Sequence, residues 1–398
     1  MPSKISVLLL VVAVGAAACT GETVETTTTS TTSTSTTTTS TTTTIPTTTT
    51  LPPVHVEAAT PELAAVIDAF YDYAATRVAE PPPMVEPVLA SIVPAPRDTP
   101  ATGVASMATF KGQAVATVEA GGDLFLLVDE GTGWRIVGGA WPSIQVPAYF
   151  GGAPRLVAVV GSDARPGEDM TTARADSIHF IGLDGNGVGA VVGVPRDSWV
   201  VGPTGGRGKI TDILANHGPD PLFQTFKDLT GLPLEGYVLS GFVGFQEMLG
   251  NVLEGVVLVV PFAINDVAAH ANLPAGEQYL NGPAALSFAR ARKTVPGGDF
   301  TRSSHQGIIL IASAKTVRGK GYGSIPGLLA GSEQYMATNM SPEQLLTFSA
   351  MAISADLDAM PNVVAPGSVG RAGSASVVFL SDSASALWAD LADGRLDQ

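Results

Sequence analysis

Basic side chains are concentrated in one short stretch of a chain whose charge is otherwise strongly negative. The stretch Leu286–Gln306 reads LSFARARKTVPGGDFTRSSHQ and contains Arg290, Arg292, Lys293 and Arg302, whereas the whole protein has a formal net charge of −15 at pH 7. The planar fork of donors on arginine suits phosphate oxygens better than a lysine does. The stretch therefore predicts an anion-binding site, with a solvated basic loop as the alternative.

The spacing of these residues predicts that several of them converge. Arg290 and Arg292 are two apart where a helical pattern ends, and an extended backbone would point both guanidinium groups the same way. Arg302 and Gln306 are four apart and share one face of the next predicted helix. Asp299 stands at the start of that helix and is predicted to cap it.

A second group of polar residues lies where predicted strands end. Its members are Asp163, Arg165, Arg174, Asp176, Arg196, Asp197 and Lys209. Arg174 and Asp176 are two apart in a strand-like context and face one way, and Asp163 could meet Asp176 across the sheet. Two carboxylates together with phosphate oxygens are ordinary ligands of Mg²⁺. The alternative for any single Asp–Arg pair is a structural ion pair.

The elements that must position these residues form an α/β pattern over residues 151–398. An apolar strand at Leu156–Val160 and a hairpin around Gly185–Gly187 alternate with helical patterns such as Phe300–Val317. Strands that alternate with helices predict a β-sheet covered by helices on both faces. Residues 60–150 begin with the helix cap Thr60 followed by Pro61 and predict a small α+β module of unknown role, either a spacer or an interaction domain.

Several motifs, taken in order, resemble a known family. They are GSDAR at Gly161–Arg165, RADSI at Arg174–Ile178, PRDSWV at Pro195–Val200, KI at Lys209–Ile210, LNGPAALSFAR at Leu280–Arg290, and ARK and DFTRSSHQ through Gln306. Together they resemble the LytR-CpsA-Psr proteins of the bacterial envelope, over about Arg155 to Asp393. The ordered set is specific, although any one motif would be weak.

The resemblance implies a fold and a function. The fold is a mixed central β-sheet covered by helices on both faces. The function is an Mg²⁺-dependent phosphotransferase that moves a glycopolymer from a polyprenyl diphosphate carrier onto peptidoglycan. The implied catalytic residues are Asp163, Asp176 and Arg174, of which both aspartates hold Mg²⁺. The implied diphosphate-binding residues are Arg165, Arg196, Lys209, Arg290, Arg292, Arg302 and Gln306.

Two other functions are compatible with the same residues. If water attacks instead of a wall hydroxyl, the protein is a polyprenyl diphosphate hydrolase; if nothing reacts, it is a non-catalytic binder of polyprenyl lipid or wall polymer. The isoprenoid chain of such a ligand needs an apolar trough, which Phe242–Leu253 and Ile308–Ile311 could line, with ordinary helix core as the alternative. One departure from the family pattern is His305, which stands where an arginine is common.

The N-terminal residues predict export. Lys4 and the apolar run Ile5–Ala18 form a signal peptide, and Cys19, the only cysteine, follows small residues as in a bacterial lipobox. We therefore expect Cys19 to be acylated and to anchor the protein on the outer face of the cytoplasmic membrane, ordinary cleavage and release being the alternative. Residues 20–59, rich in Thr, Ser and Pro, predict a disordered stalk. The acidic charge argues against nucleic-acid binding.

Overall fold

The structure is a computed structural model that describes residues 54–95 and 100–397. All of these residues belong to one compact unit. The signal segment, Cys19 and most of the predicted stalk lie outside the described residues. The predicted end of the stalk at residue 59 is wrong, because Val54–Glu57 form a strand that pairs in parallel with residues 101–104.

Residues 54–150 form a six-stranded sheet with two helices. The strands are β1 (Val54–Glu57), β2 (Ala101–Phe110), β3 (Gln113–Ala120), β4 (Asp123–Asp129), β5 (Trp134–Trp141) and β6 (Val146–Tyr149), hydrogen-bonded in that order. The helices are α1 (Pro61–Thr76) and α2 (Glu86–Ser91). As predicted, Thr60 caps α1, since its Oγ1 accepts a hydrogen bond from the Leu63 N–H at 3.2 Å. We call this sheet the N-terminal sheet.

The rest of the chain is built on a second six-stranded sheet. Its first strands and helices are β7 (Arg155–Ser162), β8 (Ala175–Leu183), β9 (Gly189–Gly193), β10 (Trp199–Val201), β11 (Arg207–Lys209), α3 (Ile210–His217), α4 (Pro219–Thr230), β12 (Gly236–Ser240), α5 (Phe242–Glu247) and a π-helical turn, Met248–Val252. A long hairpin follows, formed by β13 (Val256–Val260), β14 (Ile264–Asp266), β15 (Ala271–Leu273) and β16 (Gly276–Leu280).

The remaining elements complete the sheet and its cover. They are α6 (Gly282–Arg290), α7 (Asp299–Lys320), α8 (Ile325–Ser332), β17 (Ala337–Thr338), α9 (Pro342–Ser354), β18 (Asn362–Val364), β19 (Gly367–Ala372), β20 (Ala375–Leu380) and α10 (Asp382–Leu391). The strand order is β17-β12-β7-β8-β9-β18. The sheet is mixed, as the resemblance implied, because β12 is parallel to β7 and β18 is parallel to β9, whereas β12 is antiparallel to β17 and β8 is antiparallel to both of its neighbours.

Helices cover both faces of this second sheet. Side chains alternate along β7, so Leu156, Ala158 and Val160 pack with α3, α4 and α10, while Val157 packs towards α8 and α9. The predicted α/β architecture with two covered faces is confirmed.

The N-terminal sheet packs against α8 and α9 rather than standing apart. Leu126 and Val128 share one apolar core with Leu329 and Leu346. Polar contacts join the same elements, since the Arg135 guanidinium lies 2.7 Å from Glu343. Because the sheet packs on two helices that cover the second sheet, its position argues against the role of a spacer. Among the helices of the described residues, none combines the length and the apolar character that crossing a bilayer requires.

Candidate functional site

A basic cavity of about 240 Å³ lies where α6 ends and α7 begins. We call it the anion cavity; it is lined by Asp176, Arg196, Asp266, Ala268, Ala269, Arg290, Arg292, Lys293 and Arg302. Five of these nine residues are cationic and two are acidic, so the wall is positively charged in an acidic protein. The structure thus brings the arginines of the stretch Leu286–Gln306 together with Asp176 and Arg196, which lie about a hundred residues earlier in the sequence.

The carboxylate of Asp299 is shared by three of these arginines. Its Oδ2 lies 3.2 Å from Nη2 of Arg302 and 3.8 Å from Nε of Arg196, and its Oδ1 lies 3.4 Å from Nη1 of Arg292. The predicted helix-capping role is wrong, because Gly298 occupies the cap position of α7 and Asp299 is the first helical residue. Asp299 instead fixes the spacing of the guanidinium groups, and the sequence analysis missed this role.

Arg302, which is buried, and Arg196, which is half-buried, lie side by side in the wall of the cavity. Arg302 is only 5% exposed, and its Nε has no hydrogen-bond partner among the described residues. Burial lowers the pKa of its guanidinium, and the attraction of Asp299 opposes this shift. The Arg196 guanidinium pairs with the Asp176 carboxylate. Burial alone would lower the pKa of Arg196, but Asp176, Asp299 and Asp197 together outweigh burial and raise the pKa. An added anion would compensate the buried charge of Arg302.

Gln306 holds α6 against α7. Its Nε2 donates a hydrogen bond of 3.1 Å to the carbonyl of Ala289, one residue before Arg290. The chain then becomes extended at Ala291, with φ −63° and ψ 122°, so that both Arg290 and Arg292 line the cavity, as predicted. The Gln306 amide therefore donates to the backbone next to Arg290 and helps to position this arginine.

His305 is not an anion ligand in this structure. Its ring is 1% exposed and stacks on Phe288 with 4.3 Å between ring centroids and 20° between planes. Burial lowers the pKa of His305 to about 4, so the ring is neutral at pH 7. The departure from the family pattern places an uncharged, packed ring where an arginine is common.

An apolar cavity of about 340 Å³ lies beside the anion cavity. Its walls come from β7, β12, the α5 region, α7, α8 and α9, with Ile309, Leu329 and Phe348 among the lining residues. Met248–Leu253, apart from Gly250 and Asn251, and the pair Ile309–Leu310 line it, so part of the predicted trough is present.

A third, smaller cavity of about 80 Å³, which we call the neck, lies between these two and shares lining residues with each. It shares Asp176, Arg290 and Arg302 with the anion cavity. It also shares the residues Val159, Ser240, Phe245, Ile309 and Leu310 with the apolar cavity. The three adjacent cavities therefore have one basic end and one apolar end, an arrangement that suits an amphiphile with an anionic head.

The two aspartates predicted to hold Mg²⁺ have separate partners. Asp163 Oδ1 accepts a hydrogen bond of 2.8 Å from the Arg174 N–H, and Asp176 pairs with Arg196. Among the described residues, no group of three or more His, Cys, Asp or Glu side chains is placed to hold a metal ion. Mg²⁺ is commonly held by one or two carboxylates, waters and substrate phosphates. The two carboxylates are donors of the kind that Mg²⁺ prefers, and waters and phosphate oxygens would have to supply its other ligands.

Five predicted residues do not line the anion cavity: Asp163 and Gln306, whose contacts are given above, and Arg165, Arg174 and Lys209. Lys209 pairs with Asp197 at 2.8 Å. The Arg174 side chain is 63% exposed and lies 3.6 Å from Asp212. Arg165 is exposed. Contact of these residues with the diphosphate remains a prediction.

Comparison with known proteins shows the family. Residues 148–392, more than half of the chain, match the model of the LytR_cpsA_psr family. The chain belongs to this family. The N-terminal sheet precedes almost all of the matched region, so the LytR_cpsA_psr match rests on the second sheet and on the residues around both cavities.

Similar proteins are known in other bacteria. The chain is 32% identical over 158 residues to "Polyisoprenyl-teichoic acid--peptidoglycan teichoic acid transferase TagV" of Bacillus subtilis (36% of this chain, 40% of that protein). It is 31% identical over 170 residues to "Probable cell wall biosynthesis protein LcpB" of Corynebacterium glutamicum (40% of each). It is 29% identical over 198 residues to a TagU of Bacillus cereus (48% and 62%). The matched segments thus span 40–62% of these relatives.

Solved structures agree on the fold. The structure "TagT bound to LI-WTA" has a TM-score of 0.52 at 20% identity, covering 62% of this chain and 92% of that one. The crystal structure of B. subtilis TagV has a TM-score of 0.51 at 23% identity, covering 60% and 97%.

Proposed function

We propose that this protein transfers a glycopolymer from a polyprenyl diphosphate carrier to peptidoglycan and forms a phosphodiester link. The observation that carries the proposal is the neck, because it lies between a cavity rich in arginine and an apolar cavity and shares lining residues with each. A polyprenyl diphosphate has the same two-part character. The names of the relatives, which are transferases for polyisoprenyl-linked teichoic acid and peptidoglycan, support this choice of donor and acceptor.

The arginines stabilise the negative charge that the diphosphate develops during the transfer. An acceptor hydroxyl of peptidoglycan attacks the phosphorus that bears the glycan, a new O–P bond forms, and the bond to the polyprenyl phosphate breaks. The hydroxyl proton passes to a base at the site. Arg302, Arg290 and Arg196 neutralise the charge that develops on the departing phosphate, and Asp299 keeps Arg302 and Arg196 in place before the reaction.

Asp176 and Asp163 would hold Mg²⁺ together with the diphosphate oxygens. The bound ion supplies charge neutralisation at the phosphate. Asp176 also pairs with Arg196, which orients its carboxylate towards the cavity wall.

The place of this reaction is the outer face of the cytoplasmic membrane. The predicted signal peptide delivers the chain there, and acylation of Cys19 anchors it near the membrane-borne donor. The partners are the polyprenyl-linked glycan and peptidoglycan.

The test is to incubate the full chain with a polyprenyl diphosphate-linked sugar, Mg²⁺ and peptidoglycan fragments and to analyse the products by mass spectrometry. A phosphodiester-linked sugar on the fragments, lost on addition of EDTA, is the expected result. Free polyprenyl phosphate with free sugar phosphate identifies a hydrolase instead, and intact donor retained by the protein identifies a binder; either result contradicts the transferase.

A further inference from the structure

One acidic residue in the wall of the anion cavity has, among the described residues, no ion-pair partner that would explain its burial. Asp266, the last residue of β14, is 1% exposed and lies in a wall that is otherwise mostly cationic. An unpaired buried carboxylate is costly unless hydrogen bonds satisfy its oxygens.

Four backbone N–H groups satisfy this carboxylate. Oδ1 accepts hydrogen bonds from Ala268 at 3.0 Å and Ala269 at 3.2 Å, and Oδ2 accepts them from Arg292 at 2.9 Å and Lys293 at 2.8 Å. Burial alone would raise the pKa of Asp266, but these four donors outweigh it and lower the pKa. The group is therefore ionised at neutral pH.

The four donors belong to two separate segments of the cavity wall. Ala268 and Ala269 form the tip of the hairpin β13–β16, and Arg292 and Lys293 lie in the connection between α6 and α7. Oδ1 of Asp266 accepts the hydrogen bonds of the first segment, and Oδ2 accepts those of the second. The carboxylate thus joins the hairpin tip to the segment that carries two cations of the cavity.

We infer that Asp266 is a positioning residue for the anion: its carboxylate fixes the backbone of Arg292 and Lys293 so that their side chains face the cavity. The inference rests on the anion binding that the proposed function requires, and it adds the hairpin tip to the parts of the protein that build the site. Asp266 itself, being negative and enclosed by N–H donors, does not contact the anion.

The substitution Asp266→Asn distinguishes a positioning role from a purely electrostatic effect, because the two predict opposite changes in anion affinity. Asp266→Asn removes a negative charge from the wall of an anion site, which by charge alone tightens anion binding. The amide NH₂ of Asn, however, cannot accept a hydrogen bond, so one of the two segments loses its acceptor. The positioning role therefore predicts weaker binding.

The experiment measures binding of inorganic pyrophosphate to the full chain by calorimetry, for the wild type, Asp266→Asn and the control Asp184→Asn. Asp184 is also a buried aspartate whose carboxylate accepts two backbone N–H bonds, from Asn186 and Val188, but in the turn between β8 and β9. We expect Asp266→Asn to weaken binding by about tenfold, the effect typical of one lost hydrogen bond to a charged group. Asp184→Asn is expected to leave it unchanged.

Binding of a second ligand shows whether Asp266→Asn loses affinity for the anion alone. A long-chain prenol, which has the tail but no phosphate, is expected to bind Asp266→Asn as it binds the wild type. Equal or tighter binding of pyrophosphate to Asp266→Asn overturns the inference, and so does an equal loss for pyrophosphate and prenol. If the wild type itself fails to bind pyrophosphate, the anion site of the proposed function is refuted as well.

Amide hydrogen exchange of the wild type tests the same contacts without a variant. The N–H groups of Arg292 and Lys293 are expected to exchange slowly although both side chains are exposed. Exchange as fast as in an unstructured peptide would overturn the inference even if Asp266→Asn does not fold.

Discussion

At the level of single residues, the sequence predicted most of the cations of the site but not the carboxylates that arrange them. Arg290, Arg292 and Arg302 stood out because they run against the acidic composition of the chain. Asp299 looked like a helix cap, since an aspartate at the start of a helix has the same sequence signature whether it caps the backbone or binds side chains. Asp266 had no signal, because its four partners are backbone groups.

Arg302 is the residue whose geometry matters most for the anion. Arg302→Lys keeps the charge but loses the planar fork that reaches Asp299 at 3.2 Å and the Asp176 carbonyl at 3.4 Å. We expect prenyl diphosphate binding, measured by calorimetry, to weaken by about tenfold or more. The control is Arg318→Lys in the same helix, whose exposed guanidinium pairs with Asp358; equal binding by the two variants would contradict the assigned role of Arg302.

Two buried histidines predict how stability depends on pH. Burial lowers the pKa of His179 and of His305 to about 4, whereas an unfolded histidine titrates near 6.5. Between these values the unfolded state binds more protons, so the free energy of unfolding falls as the pH falls from about 6.5 to about 4. His305→Phe, which keeps a ring on Phe288, should remove part of that loss. Urea unfolding at about pH 7 and pH 4.5 measures it, and an unchanged pH dependence in the variant would refute the assignment.

At the level of secondary structure, the long periodic elements were predictable, whereas two short helices were not. The helix α7 was predicted from its apolar run Ile308–Ile311, whereas α3 and α8, with eight residues each, were missed. Short helices depend on tertiary packing more than on their own sequence. The glycines in Ile325–Ser332 also lower its helix propensity, although this segment lines the apolar cavity.

The helix α7 lies close to the edge strand β18 at Gly307 but not at Gly319. Replacing each glycine by alanine should therefore change the free energy of unfolding in opposite directions. A Cβ on Gly307 would collide with the Asn362 amide, which itself donates a 2.8 Å hydrogen bond to the Ser304 carbonyl. A Cβ on Gly319 would meet nothing within 4 Å. We expect Gly307→Ala to lower the free energy of unfolding by about 1–3 kcal/mol. Gly319→Ala should raise it by up to about 1 kcal/mol. Denaturant unfolding measures both, and stabilisation by Gly307→Ala would show that α7 lies further from β18.

At the level of the whole molecule, the N-terminal sheet supports the apolar cavity from outside. The sheet packs on α8 and α9, and residues of these two helices that belong to the shared core, such as Leu329, also line the cavity. The sequence predicted the α+β composition of residues 60–150, but their role could not follow from it, because the contact partners lie some 200 residues later in the chain.

This shared core predicts one cooperative unfolding transition for the described part of the chain. Leu126→Ala, in the middle of the N-terminal sheet and fully buried, should lower the free energy of unfolding by about 2–5 kcal/mol. Hydrogen exchange should show α9 and β4 losing protection at the same denaturant concentration. Loss of protection in β4 while α9 stays protected would mean that the two sheets unfold as independent domains.

The central claim is that one amphiphilic ligand occupies both cavities through the neck. A crystal structure of the protein with a long-chain prenyl diphosphate tests it most directly. The account predicts phosphate oxygens at about 3 Å from the guanidinium groups of Arg290 and Arg302, and the prenyl chain between Ile309, Leu329 and Phe348. A diphosphate bound elsewhere, or a chain that lies outside the apolar cavity, would contradict it.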